Sequence, residues 1–331
     1  VKVSIFDVAR RSGLSVVTVS RVLNNAESVR PKNREKVLQA MRELDYQPNA
    51  AARSLARGKT GIIGLTLTTL YDSVFDAIVK EINDRLAEQG YFLAISVTQE
   101  REEGAHGAIF QEDRVDGVIL LSPVRENEFV AELKKKGIPF VMLDNQHRNP
   151  SVTSVIVDNF KGGYEATKHL IDLGHKRIAH ISGTELFLSS RERERGFLFA
   201  MEEAGLAPML IERGQFHVKA GYAIAERWIE NGTLPSAIFA SDDHIALGVM
   251  DALKNHGIRI PQDISIVGFD DQQLSSEFRP RLTTVRQPAA LIGRHGVELL
   301  LDAINGESKK NVTLQLEPEL IIRESTARAE D

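Results

Sequence analysis

The stretch Ser4-Ile5-Phe6-Asp7-Val8-Ala9-Arg10-Arg11-Ser12-Gly13-Leu14-Ser15-Val16-Val17-Thr18-Val19-Ser20-Arg21-Val22-Leu23-Asn24 holds two short helical patterns with one break between them. Ile5, Val8 and Ala9 recur at helical spacing, and Asp7 lies in the first turn. Gly13 interrupts the pattern and can adopt a left-handed turn at little cost. Ser15 can then cap a second helix that carries Val16, Val19, Val22 and Leu23. The small Ala9 lets the second helix cross close to the first, and buried Val19 and Val22 lock the crossing. The spacing predicts a helix-turn-helix.

A third helix is predicted over 32–44, with Val37, Leu38, Met41 and Leu44 as its apolar stripe and Pro31 near its first position. Pro48 disfavours helix at Gln47. Asn49 can cap an alanine-rich piece over 50–57, too short to be a stable helix alone in water. Residues 1–60 carry 12 Lys+Arg against 5 Asp+Glu, and the remaining 271 carry 29 against 41, so a net charge of −5 conceals a head of +7 on a body of −12. A basic module on an acidic body is suited to gripping a polyanion at one end.

Composition excludes several classes. The chain has no cysteine, which removes disulfides, thiol catalysis and Cys-ligated metals. It contains no run of 18 apolar residues and no secretory h-region, so the expectation is a cytoplasmic protein with no membrane contact. Phosphate loops, nucleophile elbows and Gly-x-Gly-x-x-Gly after a strand are all missing. The histidines are scattered without zinc-site spacing. The expectation is therefore no enzyme, no metal and no cofactor.

From residue 61 onward, short apolar runs alternate with amphipathic segments. Strands are predicted at Ile62–Leu67, Phe92–Val97, Gly117–Leu121, Phe140–Leu143, Val155–Val157, Ile178–Ile181, Ala237–Ala240 and Ile264–Phe269. Helices are predicted at 75–87, 128–136, 161–173, 193–204, 221–230, 245–256 and 289–304. Repeated strand–helix alternation gives doubly wound parallel sheets, here two α/β lobes, with ligands outside the carboxyl ends of the strands. Asp144, Asp158, Asp242 and Asp270 follow such strand ends. Carboxylates and an arginine converging there can bind neighbouring hydroxyls in pairs, and Phe216 can stack on the apolar face of a ring.

The residues 4–9, 13–15 and 18–24, together with Tyr46-Gln47-Pro48-Asn49-Ala50-Ala51-Ala52-Arg53-Ser54-Leu55, resemble the DNA-binding head of the LacI/GalR (lactose-repressor) family. The body resembles the periplasmic-binding-protein-like core of the same family. Arg30, Asn33 and Asp45 depart from the usual serine, threonine and glycine at their positions.

The resemblance implies an all-α head over 1–48, a hinge helix and linker over 49–60, and an effector-binding, dimerising core over 61–331. Within the core, lobe one takes about 61–157 plus 289–317, and lobe two about 158–288 plus 318–331. It implies a second helix in the major groove. There Ser15, Thr18 and Ser20 suit phosphate oxygens. Arg21 suits a bidentate pair with guanine, worth about 1–3 kcal/mol of discrimination. Val16 and Val17 stand at the base-reading pair and can meet thymine methyls. Ser4, Asn24, Asn49 and Ala52 complete the DNA-facing set, with Arg53, Arg57 and Lys59 supplying charge. Leu55 is implied to wedge between base pairs in the minor groove.

For the effector, the resemblance assigns Arg193 and Asp270 as anchors, followed by Asp242, Phe216 and Asp158, with Val74, Phe75 and Tyr71 closing from lobe one. The expected function is a sequence-specific transcriptional regulator, a homodimer on a pseudo-palindromic operator, switched by a small polar effector such as a sugar. The alternative is a solute-binding protein with no role in transcription.

Overall fold

The computed structural model describes residues 3–23, 26, 28–46, 59–69, 73–98, 114–146, 150–308 and 310–329. The chain divides into two compact units, Val1–Gly61 and Ile62–Asp331.

Among the described residues, the head forms three helices, α1 (Ile5–Ser12), α2 (Val16–Leu23) and α3 (Pro31–Glu43). Val8, Ala9, Val19, Val22, Val37 and Ala40 form its core. Gly13 takes φ +67° and closes α1 through its N–H to the Ala9 carbonyl. The Ser15 hydroxyl accepts the Thr18 N–H at 3.2 Å and so caps α2. One prediction needs correcting: Leu38 is 41 % exposed, and Ala40 is buried instead. At 100° per residue, 37, 40, 41 and 44 share a face that 38 leaves.

Asp45 follows α3 at φ +46°. There the Tyr46 N–H returns to the Met41 carbonyl at 2.9 Å. A side chain in this left-handed region is strained, and glycine is not. Asp45→Gly is expected to stabilise the head by about 0.5–1 kcal/mol, read from the urea midpoint of residues 1–61. A lower midpoint would refute the strain.

The body contains two six-stranded sheets. The first is built from β1 (Ile62–Leu67), β2 (Phe92–Val97), β3 (Gly117–Leu121), β4 (Phe140–Leu143), β5 (Ser154–Val157) and β11 (Thr313–Leu316). Its order is β11-β5-β4-β3-β1-β2, parallel throughout. Helices α4 (Ser73–Glu88) and α11 (Ala289–Ile304) cover one face, and α5 (Glu126–Lys136) covers the other.

The second sheet contains β6 (Ile178–Ser182), β7 (Leu210–Arg213), β8 (Ala237–Ala240), β9 (Ser265–Asp270), β10 (Thr283–Arg286) and β12 (Glu319–Ile321). Its order is β12-β10-β9-β8-β6-β7, parallel except for β12 against β10. Helices α6 (Asn159–Asp172) and α7 (Leu188–Glu203) pack on one face. Helices α8 (Val218–Glu230) and α9 (Asp243–Asn255) pack on the other, and the short α10 is Gln273–Glu277. The chain passes between the sheets three times: from β5 to α6, from β10 to α11 and from β11 to β12.

Both helix pairs of the second lobe touch backbone to backbone through reciprocal glycines. A Cβ on Gly163 of α6 would lie 2.3 Å from the Arg193 carbonyl oxygen, and one on Gly196 of α7 would lie 2.2 Å from that of Phe160. Gly221 of α8 and Gly248 of α9 stand in the same relation to Ile245 and Val218. The first pair fixes where α7 presents Arg193. Gly196→Ala is expected to cost about 1–3 kcal/mol by overpacking, measured as a lowered unfolding midpoint of the full chain. An unchanged midpoint would show that the helices can part freely.

Candidate functional site

On the head, Ser15 and Arg21 are exposed, and Thr18 and Ser20 are half-buried along α2. The two valines differ. Val17 is 61 % exposed, whereas Val16 packs against the head core. The Val17 side chain is therefore the one α2 presents outward, because adjacent helical positions lie 100° apart. The Ser4 N–H and hydroxyl both donate to the Asp7 carboxylate, at 3.0 and 2.6 Å. These bonds hold the Asp7 carboxyl below its usual range. Asn24, Asn49, Ala52, Arg53, Leu55 and Arg57 lie outside the described residues, as does Tyr71.

In the body, a cleft of about 840 Å³ opens at the carboxyl ends of both sheets. Lobe one contributes Val74, Phe75, Ser122 and Asp144, and lobe two contributes Arg193, Phe216, Asp242 and Asp270. Asp158 is not on this cleft. It lines an adjoining cavity of about 260 Å³, accepts the Lys161 N–H at 2.9 Å as the cap of α6, and accepts Gln315 Nε2 at 2.5 Å. Asp158 thus ties one interlobe crossing to another, a role that its place at a strand end does not distinguish from ligand contact.

Arg193 is 4 % exposed. Its Nε donates to Asn159 Oδ1 at 2.8 Å and its Nη1 to the Ser241 carbonyl at 2.5 Å. Its Nη2 stands 3.3 Å from Asp270 Oδ1, and the guanidinium lies 3.6 Å from the centre of the Phe269 ring. Asp270 Oδ1 also accepts Gln287 Nε2 at 2.6 Å. Beside this group, burial between the Phe197 and Phe239 rings pushes His180 down to about 4, so it adds no charge at neutral pH.

Asp242 and Asp243 divide the work at the start of α9. Asp242 caps the helix, its Oδ1 accepting the Ile245 N–H at 2.8 Å, while its Oδ2 lies 3.4 Å from His244 Nδ1. Asp243 points away from the cleft and is fully buried. Its carboxylate accepts the Ser275 hydroxyl and the Thr284 hydroxyl, each at 2.6 Å, and the Gln272 N–H at 2.8 Å. Burial nonetheless pushes its pKa up to about 7. A Cβ on Gly268 would meet Asp243 Oδ1 at 2.2 Å, so that glycine makes room for the carboxyl.

Among the described residues, three on the cleft hold positive φ without being glycine: Ser122 at +46°, Asp144 at +52° and Asp270 at +109°. Such strain persists only where packing over-determines it, and it gathers at binding sites. Sequence reasoning missed Ser122, Gln215, His217, Lys219, His244 and Gln287, which also line the cleft. Ser122 had a signal available, since it follows the end of β3 as Asp144 follows that of β4.

A basic three-helix head followed by two parallel-sheet α/β lobes is the architecture of a DNA-binding regulator with a periplasmic-binding-protein-like body. Residues 4–49 match the bacterial regulatory proteins of the lacI family, and residues 167–326 match the periplasmic binding protein-like domain. The chain belongs to the lacI family. It is 36 % identical over 332 residues to the HTH-type transcriptional repressor PurR of Pasteurella multocida, covering 97 % of this chain and 98 % of that one. Among solved structures, it resembles the lac repressor dimer bound to operator and the anti-inducer ONPF, with a TM-score of 0.90, 31 % identity, and 99 % and 100 % of the two chains covered. It also resembles the transcriptional regulator CelR in complex with cellobiose, with a TM-score of 0.74, 31 % identity, and 98 % and 100 % covered. The chain is a transcriptional regulator rather than an enzyme. Among the described residues, no helix is long and apolar enough to cross a membrane.

Proposed function

We propose that this protein is a cytoplasmic transcriptional repressor, a homodimer that grips a pseudo-palindromic operator with one head per half-site and is switched by a sugar or sugar derivative between its lobes. The observation that carries the effector reading is the buried Arg193–Asp270 pair, which lines the cleft beside Asp242 and Phe216. Paired charged groups next to an aromatic ring fit adjacent hydroxyls on a carbohydrate. The cellobiose complex of CelR supports the ligand class, and the lac repressor dimer on its operator supports the assembly. The likeness to that operator-bound form, with a TM-score of 0.90, supports reading the present lobe arrangement as the operator-competent one.

In this reading residues 1–48 form the head, 49–60 the hinge and 61–331 the core. Arg53, Arg57 and Lys59 of the hinge supply charge to the DNA phosphates, and Leu55 is the wedge in the minor groove. Effector binding changes the lobe arrangement and so the pairing of two marginal hinge segments, with a coupling of about 1–3 kcal/mol. The test has two stages. A panel of sugars, sugar acids, sugar phosphates and nucleobases is screened for thermal stabilisation of the full chain. Operator affinity is then measured by gel shift with and without each hit. A carbohydrate that raises the melting temperature and moves operator affinity is the expected result. Stabilisation by nucleobases alone would sink the carbohydrate assignment.

A further inference from the structure

Among the described residues, a buried side chain also joins the lobes away from the crossing segments. Gln146, on the loop after β4 of lobe one, is 4 % exposed. Its Nε2 donates to Ser122 Oγ at 3.1 Å and to the Asp144 carbonyl at 3.2 Å, and its N–H donates to Glu126 Oε2 at 2.7 Å. These three bonds anchor it in its own lobe. Its Oε1 reaches across and accepts the Leu188 N–H at 2.7 Å, and its carbonyl accepts Arg191 Nη2 at 3.4 Å. Leu188 is the first residue of α7, after Phe187 at the cap position. An N–H there has no partner within its own helix. Lobe one therefore caps a helix of lobe two.

We propose that Gln146 is an interlobe pin that holds the lobes in the arrangement seen here, and that breaking it is part of the switch. The two lobe-one groups it holds, Ser122 and Asp144, both line the cleft and both sit at positive φ. Any ligand that rearranges them pulls on the same amide that caps α7. Any movement of α7 away from lobe one must break the Leu188 bond. The step from lobe arrangement to operator affinity rests on the reading given under Proposed function.

The experiment uses two variants of the full chain that remove opposite ends of one bond. Gln146→Met keeps the volume and deletes the acceptor. Leu188→Pro deletes the donor at a first-turn position where proline is well tolerated, and the extended conformation of Phe187 suits a following proline. Hydrogen exchange is followed at the Leu188 amide in parent and Gln146→Met proteins, and operator affinity is measured for both single variants and the double. The expected result is exchange about tenfold faster in Gln146→Met. Operator binding should be about tenfold weaker in each single variant, with little further loss in the double. Unchanged exchange at Leu188, or fully additive losses in the double, would overturn the pin. Faster exchange with unchanged operator affinity would leave the pin standing and overturn the reading that lobe arrangement sets the grip on DNA.

Discussion

Arg193→Met should weaken effector binding strongly and destabilise the second lobe at once. The methionine retains most of the volume and removes the guanidinium that serves Asn159 Oδ1, the Ser241 carbonyl and Asp270. Asp270 is 9 % exposed, so its largely buried charge would lose its arginine partner. Removing one member of a buried pair costs about 3–5 kcal/mol, chiefly because the other charge is left uncompensated. Urea unfolding at neutral pH would show that loss. Calorimetric titration with the ligand identified by the thermal screen should show affinity reduced by about 100-fold or more. Arg193→Lys should recover part of the stability and little of the affinity, because an ammonium supplies charge but not the planar fork. An Arg193→Met protein with the parent's affinity would remove Arg193 from the effector site.

The second large effect is a pH dependence centred on Asp243. Its folded pKa is raised to about 7 from an ordinary value of 3.8. The folded state therefore holds the proton that the unfolded chain releases. Below about pH 4 both states are protonated and the group is neutral in the balance. As pH rises from about 4 to about 7, the unfolded state gains by ionising and stability falls, by up to about 4 kcal/mol for a shift of this size. His169, His175 and His180 work in the opposite sense. Their pKa values are lowered by burial, so they remove stability as pH falls through the ordinary histidine range. The informative quantity is thus the difference between parent and Asp243→Asn measured at each pH. The amide can still accept from Gln272 and Ser275 and can donate to the Thr284 hydroxyl. The variant is expected to gain on the parent steadily between about pH 4 and pH 7 and then to level off. A difference that stays flat across that range would mean the carboxyl is already ionised at pH 4.

Much of this molecule was legible from the chain. The spacing of Ala9, Gly13, Val19 and Val22 specified the helix-turn-helix, because each residue answers a separate steric demand of the crossing. The central strands were legible because burial on both faces leaves continuous apolar runs such as Gly117–Leu121. Four strands were not. Leu210–Arg213 and Thr313–Leu316 alternate between half-buried and exposed residues at sheet edges. Thr283–Arg286 fills a buried position with Thr283 and Thr284, which hydrogen-bond rather than advertise a core. Glu319–Ile321 is three residues long and runs antiparallel.

The cleft was legible in part, since strand ends locate carboxylates but not their directions. Asp242 and Asp243 are neighbours in sequence, yet one faces the cleft and the other is buried behind it. Asp158 and Asp144 both end strands, yet one belongs to the crossing segments. Only three-dimensional pairing separates these cases. Gln146 carried no sequence signal, because a capping acceptor supplied by another lobe leaves no local pattern.

The reciprocal glycines of the second lobe bear on how such a protein changes its taste. Helices α7, α8 and α9 begin at the cleft, and each is locked to a neighbour by backbone contact that tolerates no added methyl group. The side chains at those helix starts, Lys219 among them, take no part in that backbone contact. Mutation can exchange them one at a time while the platform beneath keeps its shape. A new effector can thus be acquired by retooling a few helix tips without redesigning the frame that reports its arrival.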